Sequence, residues 1–268
     1  MSRANATYRD LAQKWKALRG THDVRIREVA CVNAPRTLLC VETGDASQPT
    51  IALASGVHGD EPAGPWALLA LVEERSLNPR FAYRMWPCTN PTGFDAHTRA
   101  SIDGVDVNRT FGRGGGSPEA RAIITANRDF KFVLSIDLHE DADAAGFYCY
   151  EYGGGTIGRT VIATLDRAGF PIEPLDDFDL GGPLDAHLMQ RERGRVTADP
   201  FAEAQHLGGL SYSLALARNA ARRALTFETP GGRPFDERVA MHVCAVTCAI
   251  AALDEDGRNG TEPRPRER

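Results

Sequence analysis

The segment "ASGVHGDEPA", residues 54–63, sets a histidine and a glutamate three positions apart, His58 and Glu61, between a strand-like run and a proline that opens an apolar stretch. A histidine at a strand end and a carboxylate at a helix start can converge on one point, and the intervening glycine and proline favour a tight turn there. Taken alone, the pair also fits a hydrogen-bonded loop histidine beside a helix-start carboxylate favoured by the helix dipole. "SIDLHEDAD" then delivers His139 at the end of a β-like run. Two imidazoles and one carboxylate are the ligand set of a catalytic zinc site, three protein groups with a fourth position left for water. A structural zinc would ask for a fourth protein ligand, usually a thiolate, and no cysteine adjoins these histidines. "ALTFETP" places Glu228 at the end of a short β-branched and aromatic strand. A carboxylate there can take the proton of a metal-activated water, or can simply be a salt-bridged strand-end charge.

Residues 90–111, "NPTGFDAHTRASIDGVDVNRTF", form a Gly/Asp/Asn-rich loop carrying Arg99, Asp106, Asn108 and Arg109. An arginine fork binds a carboxylate through two parallel hydrogen bonds, and a second arginine near a metal can stabilise an oxyanion; two surface charges are the plainer reading. The remaining histidines, His22, His97, His187, His206 and His242, lack paired ligand spacing and read as structural, with His187 or His206 candidates for a substrate-covering loop. "RGGGSPEA" follows no strand and lacks the lysine of a phosphate-binding loop, so it reads as a flexible connection capped by Ser117.

To bring these groups together the chain must put several strand ends side by side. Strand-like segments near 25–31, 36–43, 50–54, 81–87, 132–138, 145–150 and 224–228 alternate with helical patterns near 62–75, 117–129, 156–168, 211–222 and 235–254. That alternation predicts one α/β domain over 1–256, a layered fold with a mostly parallel mixed sheet flanked by helices, followed by a disordered tail over 257–268. In such sheets chemistry gathers beyond the carboxyl ends of the strands, where all four motifs lie. Two long loop-rich stretches, 88–116 and 171–210, interrupt the pattern.

In this order, "HGDE", "NP" followed by Arg99, "GVDVNR", "DLH" and "FET" resemble the zinc carboxypeptidase family of the carboxypeptidase A type, in a superfamily that also contains aspartoacylase and succinylglutamate desuccinylase. The resemblance runs from about residue 50 to 230. It implies a zinc-dependent exopeptidase fold with one Zn2+ per chain held by His58, Glu61 and His139, and Glu228 as general base and later acid. It also implies Arg99 as the carbonyl-polarising group, Asn108 and Arg109 as the grip on a substrate carboxylate, and Asp106 as the partner that orients His58. Tyr212, in "GGLSYSLALA", is the positional candidate for a tyrosine that closes over substrate. The resemblance thus implies a metallocarboxypeptidase, with an N-acyl amino acid deacylase as the alternative and a catalytically silent binding module as a further rival. Only about forty residues follow Glu228, which favours the compact peptidase over relatives with an added C-terminal β-domain. "HEDAD" departs from the pattern: Glu140, Asp141 and Asp143 read as solvated loop charges, or as a preference for a cationic substrate.

The composition fits that reading. The chain has 268 residues, 42% hydrophobic, and a net charge of -5 without a Lys/Arg-rich block, so neither nucleic acid nor a membrane surface is an expected partner. The expected partner is a small peptide or acyl amino acid with a free carboxylate. The N-terminus has no continuous apolar run, and six cysteines are scattered without short pairings, which reads as reduced thiols in a cytoplasm. Cys244 and Cys248, one helical turn apart, read as packing residues.

Overall fold

A computed structural model describes residues 3–21, 23–32, 35–112, 116–175, 189–200, 203 and 208–258. Among the described residues nine strands form one mixed sheet: β1 (Arg25–Ala30), β2 (Thr37–Thr43), β3 (Thr50–Ser55), β4 (Ala82–Trp86), β5 (Leu134–Asp141), β6 (Tyr148–Tyr152), β7 (Met189–Glu192), β8 (Arg195–Ala198) and β9 (Ala224–Pro230). The spatial order is β1-β2-β4-β3-β5-β9-β6-β8-β7. The middle of the sheet, β4-β3-β5-β9, is parallel. Its flanks turn antiparallel through β1/β2, β2/β4, β6/β9 and β7/β8, with β6/β8 parallel, so the sheet is mixed as expected, with its parallel pairs concentrated at the centre.

Helices α1 (Tyr8–Ala17), α2 (Ala63–Glu73), α3 (Pro91–Ala96), α4 (Pro118–Ala126), α5 (Ile157–Arg167), α6 (Tyr212–Asn219) and α7 (Phe235–Arg258) cover the sheet. Helix α2 is apolar on every side, from Ala63 through Val72, because it is packed against β3 and β5 on one side and α7 on the other. Helix α5 shows the opposite pattern, with Ile157, Val161, Ile162 and Leu165 inward on an otherwise polar helix packed on α7 and β6. The main core gathers Leu53, Leu68, Met85, Ile136 and Phe227 with Met241 and Val246 of α7. A second core, on Ala52, Trp86, Val107, Phe111, Ile123 and Tyr212, includes residues of α4 and α6.

All six cysteines are unpaired, and Cys31, Cys40, Cys88 and Cys149 are buried. Among the described residues no helix is long and apolar enough to cross a membrane. The expected tail over 257–268 lies outside the described residues from 259 onward, as do His22, His187 and His206. The expected helices and the first six expected strands and β9 are present with small shifts in their ends, whereas α1, β7, β8 and the short α3 lie outside the expected elements.

Candidate metal centre and substrate cavity

Three neighbouring parallel strands aim the chemistry at one place. β3 ends at Ser55 and releases the turn that carries His58 and Glu61. β5 carries His139 at its carboxyl end, and β9 sets Glu228 directly opposite His139 in the register. The turn is fixed by two glycines: Gly56 adopts φ +62°, and Gly59 lies so close to the backbone of Gly93 that a Cβ would fall 1.9 Å from its carbonyl carbon. The Gly59 amide donates to Thr98 O at 3.0 Å, tying the turn to the loop after β4.

His58, Glu61 and His139 are buried and present ligand atoms all within 4.8 Å of one another. Glu61 Oε1 lies 2.5 Å from His58 Nδ1, and Glu61 Oε2 lies 2.9 Å from His139 Nδ1. The Glu140 amide donates to Glu61 Oε2 at 3.1 Å. The outer nitrogens face carboxylates: His139 Nε2 is 3.1 Å from Asp137 Oδ2, and His58 Nε2 is 3.4 Å from Asp106 Oδ1, within reach of its charge but without hydrogen-bond alignment. If both outer nitrogens carry the protons, both Nδ1 lone pairs point at the Glu61 carboxylate. Three such electron-rich atoms in a buried pocket repel unless a cation sits between them. The donor set therefore fits a metal ion that takes two imidazoles and a carboxylate.

The electrostatics point the same way. Burial pushes the Glu228 carboxyl up to about 8; His139 opposes this, while Glu61, Asp141 and Asp137 add to it. Burial also works to raise Glu61, but His139 and His58 overcome it and hold the carboxyl down at about 2. His139 titrates well above its ordinary range: burial disfavours its charge, and Asp137, Glu61 and Glu228 outweigh that. The pocket is short of positive charge.

The loop from β4 supplies one wall. Arg99, about half exposed, donates from Nε to Asp106 Oδ2 at 3.2 Å and brings Nη1 to 3.3 Å from His58 Nδ1. Asp106 starts the single turn Val107–Arg109 by accepting from the Asn108 amide at 2.9 Å. Asn108 is buried, with Nδ2 3.5 Å from His139 Nε2 and Oδ1 accepting from the Tyr212 amide at 3.0 Å. Arg109 donates to Asn108 O at 3.1 Å. A cavity of about 910 Å³ is lined by His58, Glu61, Arg99, Asn108, Arg109, His139 and Glu228 among others.

Of the nine residues singled out from the sequence, eight meet at this place and Tyr212 does not. Asp106 meets the others through its contacts with His58 and Arg99. Tyr212 is the first residue of α6, where Ser211 caps the helix, and its ring turns into the second core edge-on to Phe111, bordering a separate cavity of about 810 Å³. Glu140 also departs from expectation. It is no solvated loop charge: it is buried, accepts from the Ala63 amide at 2.6 Å and is ion-paired with Arg238 of α7. Asp141 is half-buried and accepts from Tyr148 Oη at 2.7 Å, while Asp143 is exposed. His97, read as structural, is exposed at the rim of the cavity, and His242 is buried beneath the site beside Thr229, its pKa pushed down to about 3 by burial and by His139.

Sequence reasoning missed Asp137, although its place two residues before His139 on one strand puts both side chains on the same face. It also missed Tyr148, Tyr150 and Tyr152, whose alternation in "YCYEY" sets three rings along the cavity. Glu203 carries no motif and was not singled out.

The family model for the succinylglutamate desuccinylase/aspartoacylase catalytic domain matches residues 47–151, which include every residue of the site discussed above except Glu203, Tyr152, Glu228 and Arg238. The chain is 30% identical over 121 residues to Carboxypeptidase SOL1 of Arabidopsis thaliana, a stretch covering 38% of this chain and about a quarter, 25%, of that protein. Its fold is similar to that of a protein described as a metallopeptidase from Shewanella denitrificans, with a TM-score of 0.73 and 22% identity over 92% of this chain and 90% of that one. It is also similar to a metallo-carboxypeptidase from Burkholderia cenocepacia, with a TM-score of 0.68 and 16% identity over 92% and 70% of the two chains.

Proposed function

We propose that this chain is a member of the zinc carboxypeptidase-like family shared with aspartoacylase and succinylglutamate desuccinylase, and that it is a zinc-dependent hydrolase that cleaves an amide next to a free carboxylate, acting as a metallocarboxypeptidase. The observation that carries the reading is the convergence of His58 Nδ1, Glu61 and His139 Nδ1 in a buried, negatively charged pocket with Glu228 opposite His139.

His58, Glu61 and His139 would hold the ion, with Asp106 and Asp137 keeping the two rings oriented. When bound, zinc supplies a Lewis acid that polarises the amide carbonyl and makes water acidic enough to attack near neutral pH. Arg109 would hold the substrate carboxylate, which fixes the amide against the metal centre. Arg99, already leaning on His58 and Asp106, would stabilise the oxygen that gains charge as the carbonyl becomes tetrahedral. Glu228 takes a proton from the attacking water and returns it to the leaving nitrogen, so that amide and water become carboxylic acid and amine. With a cation held by His58, Glu61 and His139, the Glu228 carboxyl would fall from the value that burial and the neighbouring acids give it, which would ready it as a base.

An N-acyl amino acid presents the same amide beside a carboxylate, and the match over 47–151 favours that second reading as directly as the peptidase match favours the first. Parallel assays of C-terminal dipeptides, a murein tripeptide and N-acetyl and N-succinyl amino acids separate them. Release of a C-terminal residue from peptides is the result expected; cleavage confined to acyl amino acids moves the protein to the deacylases.

A further inference from the structure

The cavity is also lined by groups that the metal centre does not use. Tyr148, Tyr150 and Tyr152 stand on one face of β6, the rings of Tyr150 and Tyr152 parallel with centroids 6.5 Å apart and Tyr148 edge-on to Tyr150 at 5.8 Å. Glu203 also lines this cavity, and it is only 7% exposed. Its Oε1 accepts from Tyr152 Oη at 2.9 Å, while its Oε2 has no hydrogen-bond partner among the described residues. Two other acids of the cavity wall are engaged, Glu140 by Arg238 and the Ala63 amide and Asp141 by Tyr148.

A buried carboxylate with one oxygen unsatisfied is costly, and a cation is what relieves the cost most directly. Tyrosine faces add attraction for the same charge. Burial pushes the Glu203 carboxyl up to about 7, with Tyr152 and the charge of Arg109 pulling it back. Arg109 lines the same cavity as Glu203, which sets a group suited to an anion and a group suited to a cation in one place.

We propose that Glu203, held by Tyr152, is a specificity-determining residue that binds the ammonium or guanidinium group of a substrate whose carboxylate lies on Arg109. This rests on the hydrolase reading for the substrate's orientation. The preferred substrate then carries a basic side chain on the residue released, as in a C-terminal lysine or arginine. The same acid disfavours a carboxylate side chain, through like-charge repulsion in a buried place.

The test compares binding and turnover in the zinc-loaded full chain. Free lysine, leucine and glutamate are titrated calorimetrically, and Nα-acetyl dipeptides ending in lysine or leucine are assayed, with wild type, Glu203→Gln and Glu203→Asp. Wild type should bind lysine at least tenfold more tightly than leucine and favour the lysine dipeptide by a similar factor in kcat/KM. The Glu203→Gln variant should bring both ratios close to one, and Glu203→Asp should restore part of them. Equal affinity of wild type for lysine and leucine overturns the inference without need of any variant, as does a ratio that Glu203→Gln leaves unchanged. Lysine-selective binding without hydrolysis of any dipeptide keeps the cation site and rejects the peptidase reading. Hydrolysis of both dipeptides at equal rates does the reverse.

Discussion

Glu61, which is buried, and Glu228, which is half-buried, are both carboxylates beside His139, yet their surroundings drive them apart. Two imidazoles hold Glu61 down at about 2, whereas Glu228, facing the other acids, is pushed up to about 8, first by burial. A permanently ionised carboxylate suits a metal ligand, and one that can pick up a proton suits a base. Glu228→Gln should leave metal content unchanged and lower kcat by about 10²–10⁴-fold, the usual range for losing a general base; metal analysis beside steady-state kinetics checks both halves, and near-normal turnover would contradict the role. These residues were legible because each stands at the end of a strand-like run, where side-chain type and position speak together. Tyr212 was misplaced because position along the chain does not say which way a helix-start ring turns. Glu140 was misread because its partner, Arg238, is 98 positions away.

At the scale of elements, the site depends on the parallel trio β3, β5 and β9 and on the loops that leave their ends. The tightest constraint is the crossing of two backbones at Gly59 and Gly93, near the start of α3. Gly59→Ala would force that crossing apart and move the turn that carries both His58 and Glu61. It should cost about 2–4 kcal/mol in denaturant unfolding and weaken metal binding as well. An unchanged midpoint and unchanged metal affinity would show that the crossing is looser than the structure has it. The regular core elements were legible from apolar periodicity, since β3, β5 and α2 are rich in buried aliphatic residues. β7 and β8 were not, because "MQRE" and "RVTA" are four-residue, largely polar strands whose pairing is visible only in the sheet.

For the molecule as a whole, the excess of buried acid couples stability to pH and to metal. In the metal-free chain His139 and Glu228 have raised pKa values, so their contributions are present below the unfolded values of 6.5 and 4.5 and are lost as pH rises through the folded ones. Glu61 is depressed, so its contribution is present above 4.5 and is lost as pH falls toward 2. Metal-free protein should therefore be most stable near pH 4.5, lose stability above it as Glu228 titrates, and lose it more steeply from about pH 6.5 upward as His139 joins, whereas metal-loaded protein should resist that loss and release protons as the ion enters. Thermal unfolding at stepped pH with and without chelator reads this directly; identical pH profiles for the two forms would contradict it. The measurement that bears most directly on the central claim is metal content together with hydrolysis before and after chelation. The result expected is about one zinc per chain, hydrolysis of an amide beside a free carboxylate that is lost with chelator, and recovery when zinc is restored. Hydrolysis that persists after all metal is removed, or a chain that takes up no zinc, would mean that His58, Glu61 and His139 do not form a catalytic metal centre.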